Sequence, residues 1–161
     1  MNIAVFFGGR SCEHDISIIT GVQVLNALGD GYRVLPVYMK DGGFYTSDLM
    51  TDVGFFENPN LKKATRIWLI DGSFYTRKGM LLLKKETPDV ALICCHGGEG
   101  ENGVLQGFLE YNGVPYTSAG LIASSVCMDK SIAKQLLDGL MLNTICLLYT
   151  SPSPRDGLLS R

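Results

Sequence analysis

Hydrophobic and polar positions change period several times along the chain, and each change marks an element. Residues 2–7 (NIAVFF) form an unbroken apolar run that ends at Gly8-Gly9, the pattern of a buried strand closed by a glycine turn. Ile18, Val22 and Leu25 then recur at helical spacing, which predicts a helix over 17–28 with Ser17 as its N-cap and Gly29 as its stop. Residues 32–39 (YRVLPVYM) read as a second strand. Strand, glycine loop, helix and strand make a βαβ unit, the building block of a parallel sheet.

Residues 40–88 are less regular. Asp41-Gly42-Gly43 signals a turn before Phe44-Tyr45, residues 47–64 read as a polar loop with a short helix, and 66–70 as a strand. Asp71-Gly72 and Lys78-Gly79 mark turns around short strands that end with residues 80–83. This stretch is expected to be an insertion or a small antiparallel element. Regularity returns with residues 89–95 (DVALICC), apolar enough for a central parallel strand. A GGEGENG loop follows His96 and leads into a helix over 104–111, where Val104 and Phe108, and Leu105 and Leu109, form i,i+4 pairs. Asn112-Gly113 stops it. Residues 114–117 read as a short edge strand and 121–128 as a short helix. Asp129 is placed to cap another helix, with Ile132, Leu136 and Leu140 on one face. The expected fold is α/β, a small parallel sheet flanked by helices.

Composition narrows the function classes. With 161 residues, 46% hydrophobic and 19% charged, the chain is not a disordered one. Its formal net charge of −2 gives no basic surplus that would suit nucleic acid or an anionic membrane. No apolar run of about 18 residues predicts a membrane span, and the N-terminus lacks the basic region of a leader. Five cysteines, odd in number and without CxxC spacing, suggest neither a disulfide framework nor zinc, so a cytoplasmic setting is the default. Cys94 and Cys95 are expected to behave as small buried hydrophobes. Glycine stands out at 19 of 161, about 12% against a usual ~7%, and the glycines cluster where the candidate chemistry lies.

Two glycine-rich loops carry that chemistry. The first, residues 8–17 (GGRSCEHDIS), follows the first strand. Its glycines let a ligand approach the backbone, Glu13 is suited to hold an ammonium group, and free amides at a helix start suit a carboxylate. Together these would fit a zwitterionic amino acid; a glycine turn with Glu13 near a helix dipole is the plain alternative. The second loop, residues 96–103 (HGGEGENG), also follows an apolar strand and precedes a helix. If the sheet is parallel, both loops open at one edge, where ligands of such sheets collect. A histidine and two carboxylates among glycines make a credible polar site, with a solvated loop as the alternative. Two histidines so far apart, His14 and His96, are weak evidence for a metal and read as ordinary polar residues.

GGRSCEHDIS, then HGGEGENGVLQGFLEYNGVPYTSAG, then LIASSVCMDK resemble the D-alanine–D-alanine ligase family in order and approximate spacing, over residues 2–142 and least across 40–88. The resemblance implies a Rossmann-like pre-ATP-grasp domain over 1–120 that binds substrate, and the start of the central ATP-grasp domain over 121–145. It implies ATP-dependent joining of two D-alanines through an acyl phosphate for peptidoglycan and cell-wall synthesis, with magnesium. On the matching positions, Glu13 orients the first D-alanine through its ammonium group. Gly9, Ser17, His96, Gly97 and Glu101 line the substrate site, and Lys130 contacts ATP phosphates, a role that suits a compact ammonium charge. Cys12 stands where the family often has alanine, and Asn102 replaces a common aspartate.

The family's nucleotide-clamping strands, phosphate-covering loop and magnesium carboxylates would lie beyond residue 145, so the metal ligands are expected outside this chain. The chain alone is not expected to turn over, since electrostatic stabilisation supplies most of phosphoryl-transfer catalysis. Residues 146–161 (CLLYTSPSPRDGLLSR) contain two Ser-Pro steps, and their first eleven residues resemble a translated sequencing-library adapter. They are expected to be a non-native tail. A homodimer through the N-terminal domain is also implied, and no nucleic-acid or membrane partner. Two other functions stay open at this point: a non-catalytic module that binds an amino acid or nucleotide, and a ligase that joins D-alanine to D-lactate or D-serine.

Overall fold

The computed structural model describes residues 1–57 and 61–142. The expectations for residues 143–161, including the non-native tail and Cys146, lie outside the described residues. The chain divides into two compact units, Met1–Ser125 and a second that starts at Val126.

The first unit is built on one seven-stranded sheet of order β6-β5-β4-β3-β2-β1-β7. Its strands are β1 (Asn2–Gly8), β2 (Arg33–Lys40), β3 (Gly43–Thr46), β4 (Thr65–Ile70), β5 (Ser73–Lys78), β6 (Leu81–Glu86) and β7 (Val90–Ile93). β1 runs parallel to both β2 and β7. From β2 to β6 every pairing is antiparallel. The α/β architecture holds, but the sheet is larger than expected and mixed. Of the two readings of the irregular stretch, the antiparallel element holds and the insertion does not: the short strands of 43–86 extend the parallel strands through β3, which pairs with β2 across the Asp41-Gly42 turn. Residues 114–117 add only a bridge, Ala91 to Tyr116, to the free side of β7.

Alternation along β1 sets the core on both faces. Ile3, Val5 and Phe7 pack with Val22, Leu25, Tyr38 and Met50 on the side of α1 (His14–Leu28). Ala4 and Phe6 pack with Val37, Ile67, Phe74, Leu105 and Leu109 on the side of α3 (Val104–Tyr111). The polar stretch before β4 holds a one-turn helix, α2 (Gly54–Glu57), and short 3-10 turns at Asp48–Thr51 and Leu61–Lys63. α4 spans Leu121–Met128.

Ser17 is not the cap of α1. The helix starts one turn earlier, with Glu13 at the N-cap and the Ser17 amide bonded to the Glu13 carbonyl at 2.9 Å. The physical reason is that the Ser17 hydroxyl, fully buried, is drawn instead to the ends of two strands.

In the second unit, Asp129 caps α5 (Lys130–Gly139), accepting from the Ser131 and Ile132 amides at 2.9 and 3.0 Å. Ile132 and Leu136 on that helix and Leu140 at its C-cap are 50%, 55% and 63% exposed.

Candidate functional site

Topology brings the two glycine loops together. From β1 the chain crosses over α1 to β2 on one side, while β7 lies on the other side of β1. The strand order therefore reverses between β1 and β7, and both strands point their carboxyl ends to the same edge. In an open α/β sheet a ligand crevice forms at such a reversal. The loop after β1 and the loop after β7, some 85 residues apart, face each other there.

Three hydroxyls from the first loop and α1 hold the segment that leaves β7. The Ser17 Oγ accepts from the Gly8 amide at 2.7 Å and donates to the Cys94 carbonyl at 3.0 Å. The Ser11 Oγ accepts from the Glu13 amide at 2.9 Å and donates to the His96 carbonyl at 2.6 Å. The Thr20 Oγ1 donates to the Ile16 carbonyl at 3.1 Å and lies 2.9 Å from the His96 Nε2, which fixes that ring. Backbone bonds add to this: Cys94 donates to Phe6, and Gly9 donates to Met39.

Each loop also offers a glycine to the other loop's glutamate. A Cβ at Gly97 would lie 3.4 Å from the Glu13 Oε2 and 3.2 Å from the Ser11 Oγ. A Cβ at Gly9 would lie 3.8 Å from the Glu99 Oε1. Gly97 also has φ +64°, which L side chains rarely adopt, so glycine is required there twice over. Two carboxylates thus flank the gap, each packed on bare backbone of the opposite loop.

Beneath the first loop, the His14 Nδ1 lies 2.7 Å from the Gly9 carbonyl and its Nε2 3.0 Å from the Tyr38 hydroxyl. A carbonyl only accepts, so Nδ1 carries the proton; in the neutral ring Nε2 then accepts from Tyr38. Burial first, then Asp41 and Asp15, push the Tyr38 hydroxyl up to about 12, which keeps it protonated as this chain of bonds requires. Burial likewise raises Cys94 to about 11 and Cys95 to about 12, so both thiols stay neutral and serve packing, as their apolar run predicts.

The second loop turns through a 3-10 segment, Gly98–Gly100, and enters α3. Asn102 Oδ1 accepts from the Val104 amide at 3.1 Å, a local cap. Gln106, fully buried, donates to the Gly100 carbonyl at 2.8 Å and so anchors the loop from within.

Glu13, Gly9, Ser17, His96 and Gly97 are brought to one place. Glu101 is exposed, with its amide on the Gly98 carbonyl at 3.2 Å; the carboxylate set against the first loop is that of Glu99. Lys130 sits in the second unit, in the first turn of α5. Sequence reasoning missed Ser11, Thr20 and the His14–Tyr38 pair as site residues, and took Glu99 only as one of two loop carboxylates. A signal existed for Thr20: with Glu13 and Ser17 it falls at i, i+4 and i+7, a polar stripe beside the apolar one of the same helix.

Residues 2–119 match the family model described as the D-ala D-ala ligase N-terminus. A D-alanine–D-alanine ligase from Thermosipho melanesiensis is 36% identical over 159 residues, covering 94% of this chain and 43% of the relative. One from Leptospira interrogans is 40% identical over 139 residues, covering 83% and 38%. Among solved structures, the D-alanine–D-alanine ligase from Coxiella burnetii superposes with a TM-score of 0.73 at 29% identity, over 86% of this chain and 42% of that one. The Helicobacter pylori enzyme, at 24% identity and a TM-score of 0.80, shares the fold over 91% of this chain and 46% of that one. The chain thus spans less than half the length of each of these relatives. With the family model covering most of its residues and the two loops of its crevice inside that match, the chain belongs to the D-alanine–D-alanine ligase family, at the family's N-terminal domain.

Proposed function

We propose that the chain is the substrate-binding part of an ATP-dependent D-alanine–D-alanine ligase, and that the crevice between its two glycine loops receives the first D-alanine. The observation that carries this is the mutual seating of the loops, Glu13 against Gly97 and Glu99 against Gly9. In this reading the Glu13 carboxylate accepts from the ammonium group of D-alanine, a charge-assisted bond that fixes the amino acid's direction. Gly9 and Gly97 leave backbone open to the ligand. His96, its ring held by Thr20, and Glu99, set against Gly9, shape the rest of the site, with Glu101 on the exposed turn of the same loop. Ser17 acts from below, holding Gly8 and the Cys94 carbonyl in place.

ATP would supply the phosphoryl group that activates one D-alanine carboxylate before the second amine attacks it. Lys130 is the residue proposed to meet its phosphates, but one lysine does not make a nucleotide cradle. Among the described residues no group of three or more His, Cys, Asp or Glu side chains could hold a metal ion. The reading carries with it a role in peptidoglycan synthesis, a cytoplasmic location and a homodimer joined through the N-terminal domain. No helix among the described residues is long and apolar enough to cross a membrane.

The test is Glu13→Gln in the full-length ligase that carries this segment. It should lower kcat/KM for D-alanine by roughly 100-fold, the scale of a lost hydrogen bond to a charged group. Wild-type turnover would remove Glu13 from the site.

A further inference from the structure

We infer that Ser11 is a positioning residue of the amino-acid site: its one hydroxyl joins Glu13 to His96 and so sets the width of the crevice. The inference rests on the proposed role of Glu13 and extends it to a residue that is not assigned one by the reading above.

Two bonds carry it. The Ser11 Oγ gives its proton to the His96 carbonyl at 2.6 Å and takes the Glu13 amide proton at 2.9 Å. A hydroxyl has one proton to give and lone pairs to spare, so the two bonds use it without conflict. They also span the two loops directly. One partner is the backbone of the residue that would hold the ammonium group; the other is the backbone immediately before Gly97, on which the Glu13 carboxylate rests. The fit around Ser11 is close: a Cβ at Gly98 would lie 3.1 Å from the Ser11 Cβ. With the hydroxyl in place, neither loop can slide along the other without breaking a bond.

Ser17 repeats the arrangement one layer deeper, between the Gly8 amide and the Cys94 carbonyl. The two serines differ in what water can do for them. Ser17 is fully buried, so its loss leaves an amide and a carbonyl unpaired in the core. Ser11 is only half-buried at the mouth, where water can satisfy both partners if the hydroxyl goes. The fold needs Ser17; at Ser11 the fold can do without the bond, while the alignment of Glu13 with His96 is lost.

The experiment compares Ser11→Ala, Glu13→Gln and the double variant in the full-length ligase, with Ser17→Ala as the buried control. Ser11→Ala should raise KM for D-alanine by about tenfold and leave kcat within about twofold, because the ammonium contact is made in both ground and transition states. Its melting temperature should stay within about 2 °C of wild type, whereas Ser17→Ala should melt several degrees lower. In the Glu13→Gln background, Ser11→Ala should add less than about twofold, as expected of a residue that acts through Glu13.

A wild-type KM in Ser11→Ala beside a defective Glu13→Gln overturns this inference alone. So does a fall in melting temperature with unchanged KM, or a full tenfold effect that persists in the Glu13→Gln background. A wild-type Glu13→Gln overturns instead the role of Glu13 on which the inference rests. If Ser11→Ala does not fold, Ser11→Cys, whose thiol is a weak donor, is measured in its place with the same expectations and the same contrary results.

Discussion

The two ends of the sheet are made from similar strands but end in different kinds of loop. At the parallel end, β1 and β7 deliver residues from distant parts of the chain to one edge, and three hydroxyls cross-link them. At the antiparallel end, the turns at Asp41-Gly42, Asp71-Gly72 and Lys78-Gly79 each join neighbouring strands. The first two emerge at the same edge as the loops after β1 and β7. There a Cβ at Gly42 would press on Arg10 of the first loop, and one at Gly72 would lie 3.2 Å from the Asn112 carbonyl. The Lys78-Gly79 turn emerges at the opposite edge and meets a local partner, Arg77 donating to the Gly79 carbonyl. Parallel pairing concentrates chemistry because it brings the same ends of separate strands to one edge; a meander of hairpins spreads its turns apart. Within one sheet, topology rather than composition decides where a site forms.

A matched pair of glycine variants puts the greatest strain on this contrast. Gly97 and Gly79 both have positive φ, +64° and +61°. A Cβ at Gly97 would press on Ser11 and Glu13, whereas at Gly79 it would meet nothing within 4 Å. Gly97→Ala in the full-length ligase should cost roughly 100-fold in kcat/KM, the effect of a displacement of about 1 Å in a positioned site. Gly79→Ala carries the backbone strain of a side chain at positive φ, about 1–2 kcal/mol. It should lower the melting temperature by a few degrees and leave kcat/KM within about twofold. Equal kinetic losses would mean that the two ends do not differ as argued.

A smaller effect separates the ends by pH. Tyr38, Cys94 and Cys95, all at the parallel end, have folded-state values raised from 10.0 to about 12, from 9.0 to about 11 and from 9.0 to about 12. The unfolded chain releases these protons first as pH climbs, so the stability they protect is complete below about pH 9 and is lost between about pH 9 and 12. Thermal melts of the chain should show a falling midpoint across that window, and Cys94→Ala should flatten the fall. A midpoint constant from pH 8 to 11 would contradict the burial argument.

Much of the parallel end was legible in the sequence. Residues 2–7 and 89–95 are apolar runs stopped by glycine, and such runs identify buried strands without any partner being known. The two loops were legible for the same reason, as glycine clusters after those strands. The antiparallel end was legible only as short strands and turns. That β3 would join them to β2 depends on register and on the burial of Phe44 between Phe6 and Phe108, which no local pattern encodes. Ser17 was misplaced as a cap because serine before an apolar helical stripe commonly is one; its partners, Gly8 and Cys94, are set by tertiary contact. Glu99 and Glu101 look alike in sequence, and only the fold of the second loop sets Glu99 against Gly9.

The most direct test of the central claim is hydrogen–deuterium exchange of the full-length ligase with and without D-alanine and ATP. Ligand-induced protection within this domain should fall on residues 8–17 and 96–103, with the turn at 78–80, on the opposite edge of the sheet, unchanged. Protection at that turn, or none at the two loops under conditions that saturate turnover, would overturn this placement of the site.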